Sequence, residues 1–211
     1  MATTTKKSSN GAAKTAQGKK PGARMDAVAL LKQDHRTVEA LFKQYKNLTP
    51  TANKSRARLI DKIVKELSVH AAVEEQILYP TTESESRGSK RLVSHSLDEH
   101  QAVKETLAEL QKLDAGDERA DELMRALMSE VRSHVKEEET QLFPKLRAAV
   151  GKDVLVQMGT LMQLAKKTAP TRPHPHAPNK PPGNIVIGMA SGAVDRARDA
   201  GRGVRRKVTG T

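Results

Sequence analysis

The 211-residue sequence has no cysteine and no tryptophan, and it has only two tyrosines and two phenylalanines. The absence of cysteine excludes disulfide bonds, thiolate metal sites and cysteine nucleophiles. No stretch approaches the roughly 18 apolar residues of a membrane helix. The N-terminus also lacks the apolar core of a secretory signal. We therefore expect a soluble cytoplasmic protein.

The net charge of +12 is carried by the two ends of the chain, and the central block is nearly neutral. Residues 1–24 contain six basic and no acidic residues, and residues 166–211 contain ten basic and two acidic residues. The first 24 residues also lack large apolar side chains apart from Met1, which predicts a disordered basic arm. Such ends can attract nucleic acid or an anionic membrane, or serve solubility alone. They contain no aromatic residue for base stacking.

Four stretches of the central block carry apolar residues at spacings of three and four, the period of an amphipathic helix. Three polar breaks separate them, at residues 47–54, 83–89 and 114–117. No long stretch alternates with period two, so no sheet is expected. The pattern predicts an all-α fold, an up-down-up-down four-helix bundle. Pro80 is expected to end or kink the second helix.

The chain beyond the bundle is predicted to hold one short fifth helix and a proline-rich segment. The segment between residues 169 and 183 contains six prolines, which is typical of an extended linker. The basic residues after it could form a short helix or a flexible tail. The predicted organisation is a basic arm (1–24), a bundle (25–150), an extra helix (151–168) and a linker with a basic tail (169–211).

One sequence motif occurs twice in the bundle. An acidic residue and a histidine are followed, further along, by a second histidine, a glutamate four residues after it and another glutamate next to that. The first histidine recurs after 65 residues and the later members recur after 64. Each copy continues with leucine, an aromatic residue and proline. The corresponding pairs are Asp34 and Glu99, His35 and His100, His70 and His134, Glu74 and Glu138, and Glu75 and Glu139.

The four motif histidines are predicted to lie at one height in the bundle. Two residues of antiparallel helices share a height when the turn between them lies midway. The midpoints between successive motif histidines fall near residues 52, 85 and 117, inside or next to the polar breaks. Glu74 and Glu138 follow His70 and His134 by one helical turn and share their inward faces. Buried carboxylates and imidazoles need partners, and cations between them satisfy both.

The sequence therefore predicts a metal centre. Its nitrogen and oxygen ligands, without sulfur, suit iron, manganese, zinc, nickel or copper, and two carboxylates between two histidine pairs suit two ions. The predicted ligands are His35, His70, Glu74, His100, His134 and Glu138.

Other acids and histidines are predicted to lie outside the ligand set. Asp34, Glu75, Glu99 and Glu139 are expected to be solvated or to support the ligands from outside. His95 lies five residues before His100 and is expected at the surface or in support of the ligands from outside, unless a π-bulge turns it inward. His174 and His176, in the proline-rich segment, are interpreted as incidental.

The motif arrangement over roughly residues 25–148 resembles the hemerythrin-like family, the HHE cation-binding domains. The resemblance implies a four-helix bundle around two non-haem iron ions with an oxo or hydroxo bridge. It also implies that His35 and His70 ligate one iron and that His100 and His134 ligate the other. By the same resemblance, Glu74 and Glu138 bridge the two ions.

One departure from the family bears on function. Oxygen-carrying members have a His-x3-His pair on the third helix, whereas the residue four before His100 is Ser96. A missing ligand leaves an open coordination position, which favours reactive chemistry over reversible oxygen carriage. Tyr45 or Tyr79 could donate hydrogen bonds there, although the alignment of Tyr79 with Phe143 favours packing.

Three functions follow as hypotheses. The first is a di-iron protein that binds or reacts with hydrogen peroxide, nitric oxide or oxygen, through catalase-like peroxide decomposition or nitric oxide scavenging. The second is a metal-dependent sensor or interaction protein whose basic tails bind nucleic acid or an anionic surface. The third is a structural zinc bundle with no redox role.

Overall fold

The computed structural model describes residues 25–208, with side chains at all of these except residues 185–187 and 201–208. The described residues form helices and no strand, which confirms the predicted all-α class. None of the described helices is both long enough and apolar enough to cross a membrane. The predicted disordered arm, residues 1–24, lies outside the described residues. The helices are α1 (Ala27–Lys46), α2 (Asn53–Val73), α3 (Tyr79–Glu85), α4 (Lys90–Leu110), α5 (Glu118–Glu137), α6 (Phe143–Ala149), α7 (Lys152–Ala165) and α8 (Gly183–Val208).

Two π-helical segments join α-helices into longer rods. The first, π1 (Glu74–Leu78), connects α2 to α3, and the second, π2 (Glu138–Leu142), connects α5 to α6. The backbone N–H of Tyr79 bonds to the carbonyl of Glu74, five residues earlier. Pro80 then lies in the first turn of α3, where its missing N–H is tolerated. Pro80 therefore does not end the rod, which continues to Glu85.

Two apolar clusters fill the interior. The first includes Phe42, Ile63 and Leu127, and the second includes Tyr79 and Phe143, all at most 1% exposed. Full burial of one such side chain stabilises the fold by about 1.5–3 kcal/mol. Along each of the four motif-bearing helices, the motif histidine separates residues of the first cluster from residues of the second. The histidines therefore lie where the two clusters meet.

A buried polar cluster ties together the ends of three helices. The Arg56 guanidinium of α2 donates to the hydroxyl of Tyr45 in α1 at 2.7 Å and to the carboxylate of Asp121 in α5. It also donates to the carbonyl of Ala115 at 3.0 Å. A buried charge is very costly unless it is paired and hydrogen-bonded. These bonds therefore fix α1, α2 and α5 relative to one another.

The predicted short fifth helix is α7, which packs against α1. Gly159 of α7 lies so close to the start of α1 that an added Cβ would collide with the carbonyl oxygen of Met25. A glycine is therefore required at this contact. The C-terminal end of α7 reaches Asp34 of α1 through Lys166.

Of the two alternatives predicted for the segment after the prolines, a short helix or a flexible tail, the structure has a helix: α8 covers residues 183–208. Asp195 of α8 is fully buried and accepts hydrogen bonds from the backbone N–H groups of Thr171 and Arg172, both at 3.1 Å. Gly192 packs on the carbonyl of Thr168 so closely that a Cβ would not fit. The docked face of α8 thus contains glycine and aspartate, and apolar periodicity does not reveal it.

Candidate metal centre

The structure brings all six predicted ligand side chains into one buried cluster. Each residue is at most 7% exposed, and the two glutamates are fully buried. Four different rods supply them: His35 from α1, His70 and Glu74 from α2 and π1, His100 from α4, and His134 and Glu138 from α5 and π2.

The ligand atoms form two groups that share Glu74, and within each group all atoms lie within 4.8 Å of one another. The Oε2 atom of Glu74 lies 3.1 Å from Nε2 of His70 and 3.4 Å from Nε2 of His100. The Oε2 atom of Glu138 lies 3.4 Å from Nε2 of His35 and 3.6 Å from Nε2 of His134. Each glutamate therefore faces one histidine of each pair.

The four remaining acids of the motif each hold the outer nitrogen of one histidine. The distances to Nδ1 run from 2.8 to 3.3 Å. A carboxylate on Nδ1 fixes the ring and leaves Nε2 free to bind a metal. This explains why the acids recur with the histidines. The four pairs are Glu139 with His35, Asp34 with His70, Glu75 with His100, and Glu99 with His134.

Three of these four acids also form an ion pair with a lysine. Lys104 lies 2.7 Å from Glu75. Lys32 lies 3.0 Å from Glu139, and Lys166 contacts Asp34. Each of these three histidines is thus backed by a carboxylate and then by a cation. The fourth acid, Glu99, faces His95 instead.

Several buried atoms of the cluster have no hydrogen-bond partner among the described residues. They are Nε2 of His35, both carboxylate oxygens of Glu74 and Oε2 of Glu138. An unpartnered buried polar atom costs about 1–3 kcal/mol, and more when it is charged. Nitrogen and oxygen donors that converge without hydrogen bonds fit metal cations, which would satisfy all of them at once.

Tyr79 also enters the cluster, where its alignment with Phe143 had favoured packing alone. Its hydroxyl lies 3.0 Å from Nε2 of His100 and donates to Oε1 of Glu138 at 3.0 Å. Phe143 stacks on the ring of His35, with centroids 5.8 Å apart. The sequence did contain a signal for this role, since the first motif copy has a tyrosine, Tyr79, where the second has phenylalanine, Phe143. Tyr45 lies elsewhere, in the polar cluster around Arg56.

His95 does not join the buried cluster. Its helix, α4, is α-helical from Lys90 to Leu110, so the π-bulge that would turn His95 inward is absent. Its side chain is 56% exposed and lies near Glu99 and Glu137. His174, interpreted as incidental, pairs with the buried Asp195 at 3.0 Å.

Residues 26–146 match the family model described as the hemerythrin HHE cation binding domain. The chain belongs to this family. The hemerythrin-like domain is thus a metal-binding domain, and it contains the whole buried cluster.

Two relatives accompany the family match. An uncharacterized hemerythrin-like protein of Schizosaccharomyces pombe is 30% identical over 168 residues, which cover 79% of this chain and 82% of the relative. The crystal structure of a hemerythrin HHE cation-binding domain-containing protein from Mycobacterium kansasii matches with a TM-score of 0.59 and 20% identity. That match covers 67% of this chain and 85% of the other. At this identity, the structural likeness supports the fold alone.

The two glutamates of the hemerythrin-like centre have opposite pKa shifts. Burial, together with the charge of Glu138, raises the pKa of Glu74 well above its usual value. Burial also acts to raise the pKa of Glu138, but the charge of His134 and the proximity of His35 outweigh it and hold that pKa below its usual value. Without a cation, Glu74 therefore favours its protonated form beside an ionised Glu138.

The histidines of the centre differ in a similar way. Burial lowers the pKa of His70 to about 4, although the hydrogen bond to Asp34 acts in the opposite direction. Burial also lowers the pKa of His100. For His134, burial is outweighed by the charge of Glu138 and the bond to Glu99, and its pKa is raised. A neutral imidazole has a free lone pair, so His70 and His100 are ready to bind a metal at neutral pH.

A small cavity lies against the four histidines of the centre, with a volume of about 20 Å³. A cavity of this size holds about one water-sized molecule. Apart from the histidines, its walls are apolar: Val38, Leu67, Ala71, Val103, Val131 and Val135.

Proposed function

We propose that this hemerythrin-like centre holds two iron ions and reacts with a small oxidant, with hydrogen peroxide or nitric oxide preferred over oxygen. The proposal depends on the position of Glu74 and Glu138 between the two histidine pairs. Each glutamate contacts one histidine of the pair His35 and His70 and one of the pair His100 and His134. Two carboxylates between two pairs of imidazoles suit a two-metal centre of iron. Bound iron would supply the redox chemistry.

The walls of the cavity support a small reactant. A volume of about 20 Å³ leaves room for a molecule of a few atoms and excludes larger organic substrates. Apolar side chains such as Val131 and Val135 line it, so bulk water is kept from the histidines. Peroxide, nitric oxide and oxygen are all small enough for this space.

The hydroxyl of Tyr79 also supports the proposal, because it stays protonated and is a hydrogen-bond donor at the centre. Burial, followed by the charge of Glu138, raises the pKa of Tyr79 well above its usual value, so the phenol remains protonated at neutral pH. Its hydroxyl donates its single proton to Oε1 of Glu138 and lies 3.0 Å from Nε2 of His100, so it could donate to a molecule bound at the centre by turning from Glu138. The outer acids meanwhile hold the histidine rings in place.

Metal quantification on freshly purified protein tests the proposal. We expect about two irons per chain and a visible spectrum that changes when peroxide or nitric oxide is added. His70→Ala removes one buried nitrogen and should lose both iron and reactivity, whereas His176→Ala, at an exposed position, should keep both. Colourless protein that contains only zinc would contradict the proposal.

A second candidate function uses the basic C-terminal segment. The side-chain amide of Asn184 in α8 donates to the carbonyl of Glu75 in π1 at 3.1 Å, which ties this segment to the metal centre. Residues 166–211 carry ten basic and two acidic residues, a charge that attracts nucleic acid. In this alternative, the protein is a metal-dependent interaction protein.

Binding to duplex DNA or RNA, measured by fluorescence anisotropy, separates the two candidates. The alternative requires salt-dependent binding that differs between metal-loaded and metal-free protein. It also requires the loss of that binding when the basic segments are removed. If binding is absent while peroxide reactivity is retained, the interaction function is excluded and the oxidant function is supported.

A further inference from the structure

The four acids that hold the motif histidines differ in their outer partners. Glu75, Glu139 and Asp34 each form an ion pair with a lysine ammonium in addition to the contact with the histidine. The Oε2 atom of Glu99 holds His134 at 2.8 Å in the same way, but no lysine or arginine pairs with Glu99 in the described part of the chain. One of four equivalent positions thus lacks its fixed cation.

The outer side of Glu99 carries two further metal-binding groups. Nε2 of His95 lies 3.5 Å from Oε1 of Glu99 and 3.5 Å from Oε2 of Glu137. All three ligand atoms lie within 4.8 Å of one another. Among the side chains that the structure describes, Glu137 forms its one ion pair with His95. Two carboxylates therefore face the imidazole of His95, and no lysine or arginine side chain that the structure describes pairs with either of them.

The spacing of the three groups fits a cation better than hydrogen bonds. Hydrogen bonds between N–H and O are usually about 2.9–3.0 Å long. Ligands about 2.1 Å from a tetrahedral metal ion are about 3.4 Å from one another. The two measured distances of 3.5 Å agree with the second value.

We propose that His95, Glu99 and Glu137 form a separate surface site for a divalent transition-metal cation such as Zn²⁺ or Fe²⁺. The imidazole and two carboxylates supply three ligands, and water completes the coordination. A cation there occupies the position that lysine occupies on the other three acids. Through Glu99 it is joined to His134 of the buried centre. The site does not depend on the buried centre containing iron.

Equilibrium dialysis of the untagged full chain, first loaded with iron and then exposed to buffered Zn²⁺, tests the site. Both metals are measured by mass spectrometry. The test variants are His95→Ala and Glu137→Gln, and Glu99 is kept because it holds His134. The matched controls are His176→Ala and Glu130→Gln, whose side chains are exposed and lie outside both metal clusters.

We expect each test variant to bind about one Zn²⁺ fewer per chain than the wild type, since a surface site needs three protein ligands to hold the ion. The controls should bind as much Zn²⁺ as the wild type. Crystals soaked in Zn²⁺ should show an anomalous peak between His95 and Glu137. Equal Zn²⁺ uptake by all variants would overturn the proposal and leave His95 as the partner of a surface ion pair.

His70→Ala separates this proposal from that of the buried centre. If His70→Ala lowers iron content while His95→Ala leaves Zn²⁺ uptake unchanged, the surface site fails and the buried centre stands. If His95→Ala lowers Zn²⁺ uptake in protein that contains no iron, the surface site stands by itself.

Discussion

The hydroxyl of Tyr79 lies 3.0 Å from Nε2 of His100, the ring nitrogen that faces the buried cluster. The other nitrogen of that ring is held by Glu75 at 3.0 Å. Tyr79 follows π1 directly, and its hydroxyl also donates to Glu138. The phenol of Tyr79 therefore lies beside His100, and α4 has serine, Ser96, four residues before His100 where oxygen-carrying members have a second histidine.

Tyr79→Phe is expected to destabilise the metal-free protein by about 1–3 kcal/mol, because a buried oxygen of Glu138 loses its donor. Urea unfolding of the metal-free variant measures this loss. In iron-loaded protein we also expect the visible spectrum and the rate of the peroxide reaction to change, because the hydroxyl is removed from beside His100.

Tyr45→Phe is the matched control, since Tyr45 is the other tyrosine of the chain. It donates to Asp121 at 2.9 Å in the polar cluster around Arg56. Its loss should lower stability and leave the spectrum of the iron-loaded protein unchanged. Identical spectra and rates for wild type and Tyr79→Phe would show that the phenol plays no part in the reaction.

The acids that hold Nδ1 of the motif histidines should contribute to metal affinity, and a more buried acid should contribute more. The Glu75 side chain is 4% exposed, whereas that of Glu139 is 31% exposed. Glu75→Gln is expected to weaken metal binding by about 10–100-fold, because the ring of His100 loses its charged partner. Glu139→Gln should have a smaller effect, since water can reach His35 in place of the carboxylate. Competition with a chelator measures both affinities, and equal losses would contradict the role of burial.

Metal affinity should rise with pH. The pKa of Glu74 is raised by burial in the metal-free protein, so this carboxyl holds a proton that a metal must displace. Raising the pH removes that proton and favours the metal-bound form. Glu74→Gln has no proton to displace, and its weaker binding should depend less on pH. Chelator competition at several pH values checks this, and an equal slope for variant and wild type would contradict it.

Acid should remove the contribution of His70 to the stability of the metal-free protein. The pKa of His70 is lowered to about 4, so between its ordinary pKa of 6.5 and 4 the unfolded chain binds a proton that the folded chain does not. Stability from His70 is therefore present above about pH 6.5 and is lost as the pH falls to 4. The loss is about 3 kcal/mol, because one pKa unit corresponds to about 1.4 kcal/mol. Urea unfolding of the wild type and of His70→Gln between pH 7 and 4 isolates it, because the raised pKa values of Glu74 and His134 act in the opposite direction in both proteins. A stability difference that shifts in favour of the wild type as the pH falls would contradict it.

The position of the buried histidines could be predicted from the sequence, because it depends on two simple properties. Apolar residues at helical spacing show which face of each helix is inward, and polar breaks show where the chain turns. His35 and His70 are nearly equidistant from the Pro50 break, so their equal height follows from the rise per residue. The repeated acids could be placed only broadly, since sequence spacing does not show which acid reaches which ring.

The π-helical segments and α8 could not be predicted in the same way. The five residues of π1 have an apolar pattern that fits an α-helix equally well, and only the backbone bond from Tyr79 to Glu74 distinguishes them. The docking of α8 depends on Asp195, a residue type that is rarely buried, and on Gly192, which has no side chain to add to an apolar pattern. Both are buried because they contact residues 168–172, at the start of the proline-rich segment. These contacts join residues that are distant in the sequence, so the spacing of apolar residues within α8 does not reveal them.

Arg56→Ala is expected to destabilise the protein by about 3 kcal/mol, because the Tyr45 and Asp121 groups lose their buried partner. The 31% exposure of the Asp121 side chain keeps the loss near the lower end for buried pairs. Arg119→Ala is the control: its side chain is 61% exposed, and its ion pairs are 3.9 Å long. That change should alter stability by less than about 1 kcal/mol. Urea unfolding measures the free energy of unfolding of both variants. A loss for Arg56→Ala as small as that for Arg119→Ala would show that the Arg56 cluster does not stabilise the fold.

Asp195→Ala tests the docking of α8. The substitution leaves the backbone N–H groups of Thr171 and Arg172 without their acceptor, at a cost of about 1–3 kcal/mol for each group that stays buried. We expect amide hydrogen exchange in residues 184–200 to become faster, while the amides of α4 and α5 remain protected.

Asp199→Asn is the control for this experiment, because Asp199 bonds to Thr171 and Arg172 only through side chains and is itself 39% exposed. It should change exchange in α8 far less. If Asp195→Ala left the exchange of α8 unaltered, glycine packing at Gly192 would have to hold the helix without the buried carboxylate. Faster exchange in α8 that spread to Glu75 would show that the helix stabilises π1, since Asn184 donates to the Glu75 carbonyl.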